Sequence, residues 1–429
     1  MATHPELRRL ITAKKSMAEL SIPNAIVTDL IFKILFNEGD VPLGRFVEIT
    51  KIPQAICDEI LSWMKTEHLV EVPRAGAFGS LSYIYRLTDT GRERARAALE
   101  RSQYVGPAPV PINEYRDAVL YQTQDSQHIT PAMLKQAISH LILPENFDRR
   151  IGPAINGGTS IFLYGPPGNG KTTIAQVIGM LLAGTEPVRI PYAVAIGGDV
   201  IKIFDPLIHI PARKEDVQDS SALRLVDDRW GLFRRPVVMV GGELEMGALD
   251  LRFEPIAKFY EAPLQMKANT GMFLIDDFGR QQMSPQQLLN RWIVPLESRI
   301  DFFRLQSGQT FEIPFRQLIV FSTNLDPKDL VDEAFLRRIQ MKVEVGSPDE
   351  KLFYAIFVRM CQQYKINFDK ESFVYLIEKY YRKTGRVMQS VHPRDILKTV
   401  VAICNYDSSQ PRLTPALIDE ACRGYFVVS

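Results

Sequence analysis

The feature that most constrains this chain is a glycine-rich loop between two apolar segments. Residues 161–164 (IFLY) predict a short buried strand, and residues 174–182 predict an apolar helix. The loop and the residue after it are Gly165, Pro166, Pro167, Gly168, Asn169, Gly170, Lys171, Thr172 and Thr173. Glycines at this spacing let backbone N–H groups point at phosphates, where Lys171 can reach the β/γ oxygens and Thr172 can ligate Mg²⁺. The helix N-terminus adds partial positive charge. The segment therefore predicts a nucleoside triphosphate site.

A second apolar run ends in two carboxylates. Residues 272–275 (MFLI) predict a buried strand, and Asp276 and Asp277 follow it directly. Adjacent carboxylates at the end of a buried strand are costly unless a cation or a proton balances them. We therefore expect Asp276 to hold the Mg²⁺ shell and Asp277 to orient or deprotonate the attacking water.

Together with three later motifs, these two elements make the chain resemble the AAA+ ATPases over about residues 113–429. Asn324, at the end of LIVFSTN, matches the family's sensor 1, which helps to position the water. The run AFLRRI resembles the box that carries the arginine finger, and either Arg337 or Arg338 could be that finger. Arg394, in SVHPRDIL, resembles sensor 2, which reaches the phosphates of its own subunit.

The resemblance implies a P-loop α/β domain with a parallel sheet, followed by a C-terminal helical lid. It also implies ATP hydrolysis with ATP and Mg²⁺, and a ring of identical subunits, expected to number six, because a finger supplied in trans needs a neighbour. One departure is Asp277, where many members carry Glu. The shorter side chain holds the carboxylate about 1.5 Å further from the water. A slow ATP-dependent scaffold or switch is therefore an alternative.

The other departure is a long stretch between the loop helix and the Asp-Asp strand. It resembles the helix-2 insert of the MoxR, magnesium-chelatase and enhancer-binding branches, in which a hairpin projects towards the ring pore. Phe204, Phe253 and Tyr260 are candidates for apolar pore contacts, with a core position as the alternative for each.

The N-terminal segment has the order helix, helix, helix, hairpin, helix, which resembles a winged helix-turn-helix. Its turn is expected at residues 76–79, and Thr88 or Thr90 would cap the last helix. Residues 104–112 are Pro-rich and predict an extended linker. The predicted domains are 1–103 (winged helix), 104–112 (linker), 113–346 (AAA+ α/β) and 347–429 (helical lid).

Charge favours a protein client over DNA for the winged helix. Residues 1–103 hold 14 Lys and Arg against 13 Asp and Glu, so the segment has no basic excess. The candidate recognition helix, residues 53–65, carries Asp58 and Glu59, which DNA phosphates would repel. We therefore expect an unidentified protein client or adaptor to bind there; a DNA-associated loader or regulator is the alternative.

Composition sets the expected compartment. The formal net charge is +1, and no apolar run approaches the roughly 20 residues needed to span a bilayer, so no membrane insertion is expected. The cysteines are Cys57, Cys361, Cys404 and Cys422, and none forms a CxxC pair. This pattern is typical of buried thiols in a reducing cytoplasm.

Overall fold

The computed structural model describes the chain in six stretches: residues 5–74, 83–124, 129–157, 160–213, 226–330 and 333–426. The predicted turn at 76–79 and most of the charged segment 214–228 lie outside these residues. The chain divides into two compact units. The first contains residues 1–128, 182–273 and 287–318, and the second contains residues 129–181, 274–286 and 319–429.

The helices of the described residues alternate with short strands over most of the chain. The α-helices are α1 Pro5–Leu10, α2 Asn24–Glu38, α3 Leu43–Thr50, α4 Gln54–Thr66, α5 Asp89–Arg101, α6 Ile112–Gln124, α7 Pro131–Ile138, α8 Phe147–Gly157, α9 Lys171–Ala183, α10 Leu264–Lys267, α11 Pro285–Ser298, α12 Pro327–Leu330, α13 Glu333–Leu336, α14 Glu350–Gln363, α15 Lys370–Ile377, α16 His392–Tyr406 and α17 Pro415–Tyr425. Two 3₁₀ turns, Ala18–Leu20 and Met246–Leu249, and a π-helical turn, Glu378–Arg382, complete the helical elements.

The strands are mostly four or five residues long. They are β1 Val41–Pro42, β2 Val70–Arg74, β3 Ile84–Leu87, β4 Val110–Pro111, β5 Ser160–Tyr164, β6 Val188–Pro191, β7 Ala193–Ile196, β8 Asp199–Lys202, β9 Trp230–Phe233, β10 Val237–Val240, β11 Arg252–Glu254, β12 Phe259–Glu261, β13 Met272–Ile275, β14 Ile300–Arg304, β15 Thr310–Pro314, β16 Leu318–Thr323 and β17 Met341–Glu344.

The N-terminal segment has the predicted order of elements. Three helices, α2 to α4, precede the antiparallel strands β2 and β3, and α5 follows; β1 adds a short third strand beside β3. Of the two expected caps, Thr88 begins α5, because its side chain accepts the Gly91 N–H at 3.0 Å. The helices bury one apolar face each, around Leu30, Phe46 and Leu61.

The predicted linker is packed rather than extended away from its neighbours. Tyr104 and Ala108 are buried, and the Ala108 N–H donates to the Thr50 carbonyl at 2.7 Å. Strand β4 then joins a five-stranded sheet of order β11-β12-β8-β7-β4, pairing in parallel with β7. Ala193 of β7 and Val200 of β8 belong to the same apolar cluster as the N-terminal helices. The N-terminal segment therefore shares its core with this sheet.

The three aromatic pore candidates lie in core contacts of the first unit. Phe204 stacks on Phe233 with ring centroids 5.5 Å apart, and Phe253 packs on Tyr260 at 5.0 Å. Tyr260 is only 3% exposed. The burial of Tyr260 contradicts a pore contact for that side chain, whereas Phe204 and Phe253 are half-buried against the same core and remain predictions.

The sheet that carries the glycine-rich loop has the order β10-β13-β16-β5-β17. Strand β5 lies between β16 and β17 and pairs in parallel with both. After β17 the chain is helical, and α14 to α17 bury an aromatic-rich core of their own. The predicted fold class, a parallel α/β sheet followed by a helical C-terminal region, is confirmed.

The cysteines and the helices can be compared with the predictions of buried thiols and of no membrane insertion. All four cysteines are buried and none is in a disulfide, as predicted. Within the described ranges, no helix has both the length and the apolar character needed to cross a membrane.

Lys33 on α2 is a buried cation that supports a stability prediction. The residue is 3% exposed, and its ammonium donates to the Ser102 carbonyl at 3.1 Å. Burial lowers its pKa from 10.5 to about 8, although Asp29 nearby partly offsets this effect. The charged form is therefore disfavoured by the fold, at a cost of about 3 kcal/mol at neutral pH.

We expect Lys33→Met to stabilise the first unit by about 1–3 kcal/mol at pH 7, since an apolar chain of similar length replaces a buried charge. Between pH 8 and 10.5 the unfolded wild type binds more protons than the folded one, so this group makes the wild type more stable as pH rises. The advantage of the variant should hold below pH 8 and shrink towards pH 10. Urea unfolding of both proteins across this range measures it; a constant difference would contradict the prediction.

Candidate nucleotide-binding site

Two glycines explain why the loop has its shape. The loop leaves β5 at Tyr164 and enters α9 at Lys171, as predicted. Gly165 has φ 132° and Gly168 has φ 75°, values that residues with a side chain rarely adopt. A Cβ on Gly165 would stand 2.5 Å from the Val345 carbonyl oxygen, and one on Gly168 would stand 2.9 Å from Val391 Cγ1. Glycine is therefore required at both positions by conformation and by space.

Lys171 turns back over the loop. Its Nζ donates to the carbonyls of Gly165 and Pro166, both at 2.8 Å. The side chain is buried, and this burial lowers the pKa of the ammonium, while Asp277 and Asp276 act in the opposite direction. The ammonium is thus held against the loop, a position from which it can bind phosphate oxygens.

Thr172 and Asp276 meet across the site. The Thr172 hydroxyl, in the first turn of α9, donates to Asp276 Oδ1 at 3.1 Å. A hydroxyl and a carboxylate side by side fit Mg²⁺, which keeps several waters and takes further oxygens from the substrate phosphates. Among the described residues no cluster of three His, Cys, Asp or Glu forms a metal cage, and a magnesium site of this kind does not need one.

Asp277 and Asn324 form the second polar pair. Asn324, at the end of β16, donates from Nδ2 to Asp277 Oδ1 at 3.0 Å. Asp277 has φ 47°, in the left-handed region that Asp and Asn tolerate better than most side chains. Gln281 fixes this turn, because its Nε2 donates to the backbone carbonyls of Asp276 at 3.0 Å and Asp277 at 3.2 Å. The predicted neighbourhood of Asp277 and Asn324 is therefore present in the structure.

A cavity of about 500 Å³ collects most of the predicted residues. Those that line it are Pro167, Gly168, Asn169, Gly170, Lys171, Thr172, Thr173, Asp277, Asn324 and Arg394. Gly165, Pro166 and Asp276 lie directly behind it, in hydrogen bonds to Lys171 or Thr172. The glycine-rich loop, the Lys171 ammonium and the Asp277 carboxylate thus share one cavity.

The rest of the cavity wall was not predicted. Most of it comes from the segment 140–143 and from α14, which contributes Ile356, Arg359, Met360 and Gln363; the remaining lining residues are Ile174, Ser322, Ser390 and Val391. The apolar part of this wall suits a flat aromatic base. Its residues come from segments far apart in the chain, and the amphipathic pattern of α14 does not distinguish a cavity-lining face from a core face.

Arg394 stands in the first turn of α16. Its Nε donates to Asp395 Oδ1 at 2.8 Å, and the Asp395 carboxylate raises the pKa of the guanidinium. Asp395 also accepts a hydrogen bond from the Tyr425 hydroxyl at 3.1 Å. A carboxylate held by two partners keeps Arg394 oriented at the cavity while more than half of its side chain is exposed.

Arg337 and Arg338 lie apart from this group. Both are in the turn after α13, where the Arg337 N–H donates to the Glu333 carbonyl at 3.1 Å. The Arg337 side chain is exposed. Neither arginine lines the cavity of its own chain. The structure thus brings together every predicted site residue except these two.

Comparisons with known proteins find partial similarities. Residues 349–424 match the family described as "Domain of unknown function (DUF8689)". A vesicle-fusing ATPase of Dictyostelium discoideum is 42% identical over 55 residues, which are 13% of this chain and 7% of that protein.

Two solved structures show distant likeness. The RuvB Holliday junction branch migration motor of Thermotoga maritima has 14% identity and a TM-score of 0.38, covering 68% of this chain and 72% of that one. NtrX from Brucella abortus in complex with ATP has 14% identity and a TM-score of 0.36, covering 70% and 57%. The chain thus spans 7% of the curated relative and 57% of NtrX. Function is therefore inferred from the residues of the site.

Proposed function

We propose that this chain is an ATP-hydrolysing protein of the AAA+ type. The observation that carries the proposal is the convergence of Lys171, the Thr172–Asp276 pair and the Asp277–Asn324 pair on one cavity. The loop amides and Lys171 bind the triphosphate, and the apolar wall from α14 accepts the base. The test is MgATP hydrolysis by the purified chain.

Each polar pair has its own part in hydrolysis. Thr172 and Asp276 would hold Mg²⁺, directly or through water. When bound, Mg²⁺ neutralises charge on the phosphate oxygens. Asp277 accepts a proton from, or orients, the attacking water, while Asn324 holds the Asp277 carboxylate and can bind the same water. Arg394 binds phosphate oxygens from the side of the helical region.

The remaining charge on the transition state requires a guanidinium from another copy of the chain. Arg337 and Arg338 lie outside their own cavity, which is expected of a residue that acts in trans. We infer a homo-oligomeric ring of six subunits, in which one of these arginines completes the neighbour's site. An arginine finger of this kind is worth about 10³ or more in rate.

Mixing experiments test the trans arrangement. Arg337→Ala and Arg338→Ala are made separately, and the finger variant is expected to lose hydrolysis by about 10³-fold while it still binds ATP. Mixing that variant with Lys171→Ala should restore turnover, because the finger of the second protein can serve the intact loop of the first. Activity of all mixtures is measured against total protein. No recovery in mixtures that form mixed oligomers would contradict trans action.

The biological role that we favour is remodelling of a protein client held by the N-terminal winged-helix domain. The outer face of α4 presents Glu59 and Trp63, the latter 49% exposed. An exposed tryptophan is a frequent anchor of protein interfaces, and a glutamate repels phosphate. Arg86 at the hairpin is paired with Asp40, with Nη2 to Oδ2 at 2.6 Å. Arg86 is therefore already engaged by a carboxylate, which makes it less available to DNA phosphates.

Duplex DNA remains the alternative ligand of this domain. The full chain is used to test it, because the N-terminal helices share their core with β7 and β8. Gel shifts at low and physiological salt separate the two roles, since phosphate contacts give a strong salt dependence. Absence of a shift at low salt would exclude the DNA role, whereas a shift that Trp63→Ala leaves unchanged and high salt abolishes would support it.

A further inference from the structure

Asn169 is a loop residue that the proposed chemistry leaves without a role. It lies within the phosphate loop, yet only 5% of it is exposed. An amide buried to this degree needs partners for both ends, because an unsatisfied polar group costs about 1–3 kcal/mol. Its partners therefore indicate what the side chain does.

The partners of Asn169 come from three places in the second unit. Its Oδ1 accepts the backbone N–H of Ser390 at 3.0 Å. Its Nδ2 lies 3.4 Å from the Pro166 carbonyl and 3.4 Å from Ser347 Oγ, just after β17. The shortest of these contacts thus joins the phosphate loop to the segment that leads into α16.

A second contact joins the same two segments. The N–H of Val391 donates to the Gly168 carbonyl at 2.9 Å. The missing side chain of Gly168 also makes room, since a Cβ there would meet Gln389 Oε1 at 2.8 Å and Val391 Cγ1 at 2.9 Å. Gly168 and Asn169 of the loop are thus bound to Val391 and Ser390, which precede Arg394 by three and four positions.

Arg394 follows these two contacts by about one helical turn. Its side chain donates to Asp395 on its own helix. The distance of the guanidinium from the loop is therefore set by where α16 begins, and α16 begins directly after Ser390 and Val391.

We propose that Asn169 is a positioning residue, which attaches the start of α16 to the phosphate loop so that Arg394 faces the phosphates that the loop binds. This inference rests on the proposed ATPase function. A nucleotide that orders the loop would then order the start of α16 as well. Movement of the helical region would in turn shift the loop and Arg394 relative to the bound phosphates. An alanine at 169 would remove the side-chain bond to Ser390 and so weaken the attachment, leaving the Val391–Gly168 backbone bond, Lys171, Thr172 and the loop amides in place.

A double-mutant cycle tests the proposal on the full chain. Hydrolysis and binding of a fluorescent ATP analogue are measured for wild type, Asn169→Ala, Arg394→Ala and the double variant. We expect Asn169→Ala to lower kcat about tenfold with Kd within about threefold, and Arg394→Ala to cost far less in the Asn169→Ala background than in wild type, because coupled residues are non-additive. Amides of residues 388–396 should also exchange faster in Asn169→Ala without nucleotide.

Asn156→Ala is the matched control. Asn156 makes the same kind of bridge, accepting the Ile129 N–H at 2.8 Å and donating to the Ile129 carbonyl at 3.0 Å, away from the phosphate loop. It should show no coupling with Arg394→Ala. If Asn169→Ala does not fold, Asn169→Ser replaces it in the same cycle.

The outcomes separate the two proposals. If the wild type hydrolyses ATP and the losses of turnover in Asn169→Ala and Arg394→Ala are additive, the positioning role is overturned and the proposed ATPase function stands. A wild type with no more turnover than Lys171→Ala would overturn the ATPase itself. In that case, faster exchange at 388–396 would still support the attachment of α16, and unchanged exchange would overturn it.

Discussion

Lys171→Ala is expected to lower ATP hydrolysis by at least about 10²-fold and to weaken MgATP binding in parallel. The ammonium is the cation closest to the loop carbonyls of Gly165 and Pro166, and it is held there by two hydrogen bonds of 2.8 Å. Removing a charge-assisted contact to phosphate costs about 1.5–3 kcal/mol in binding alone, and more where charge builds up in the transition state. Steady-state kinetics and titration with a fluorescent ATP analogue measure both effects.

Lys14→Ala is a suitable control for this experiment. Lys14 also donates to a backbone carbonyl, that of Leu10, and forms an ion pair with Glu114 in the first unit. Its loss should leave binding and hydrolysis within about twofold, because neither Lys14 nor Glu114 lines the cavity. Equal losses in the two variants would indicate general destabilisation, and full activity of Lys171→Ala would contradict the proposed site.

Asp277→Asn is expected to retain ATP binding and to lower turnover by about 10²–10⁴-fold, the range typical of a lost general base. The substitution suits the site because Asn tolerates the φ of 47° that Asp277 adopts. Asn324 keeps an oxygen to which it can donate. The variant therefore removes the carboxylate charge with little change in backbone or shape. Single-turnover hydrolysis and the Kd for ATP are measured side by side.

The same experiment decides between the motor and the slow scaffold. Asp369→Asn serves as the control, because Asp369 caps α15 by accepting the Ser372 N–H at 2.8 Å and Asn caps helices equally well. Wild-type turnover well above that of Asp277→Asn supports the motor. Equal turnover of the two, with and without added client proteins, would favour a chain that binds ATP and scarcely hydrolyses it.

The left-handed backbone at Asp277 also accounts for a departure from the AAA+ pattern. Many members of that family carry Glu at this position, and the sequence suggested only that a shorter carboxylate hydrolyses ATP slowly. The structure adds a reason for Asp, since a short side chain that can bond locally is favoured at positive φ. We expect Asp277→Glu to be strained rather than faster.

Local patterns were sufficient for the phosphate loop, the Asp-Asp strand and the helical C-terminal region. Each of these depends on neighbours in sequence: a glycine conformation, an apolar run of strand length, or an apolar spacing of helical period. The juxtaposition of Thr172 with Asp276 was expected from the resemblance to the AAA+ ATPases rather than from a local pattern, because β16 separates β13 from β5 in the sheet.

Only the tertiary structure decided how the remaining residues are used. Tyr104 lies in a Pro-rich segment that predicts a linker, and Tyr260 was a candidate pore contact. Both side chains are nevertheless buried by segments distant in the chain. Asn169 shows its partners only when residues more than 200 positions later fold against it. Burial and long-range hydrogen bonds depend on which surfaces meet, and a one-dimensional pattern does not contain that information. The sequence by itself therefore determined the glycine-rich loop and the strand and helix on either side of it, and the fold determined which parts of the chain are attached to that loop.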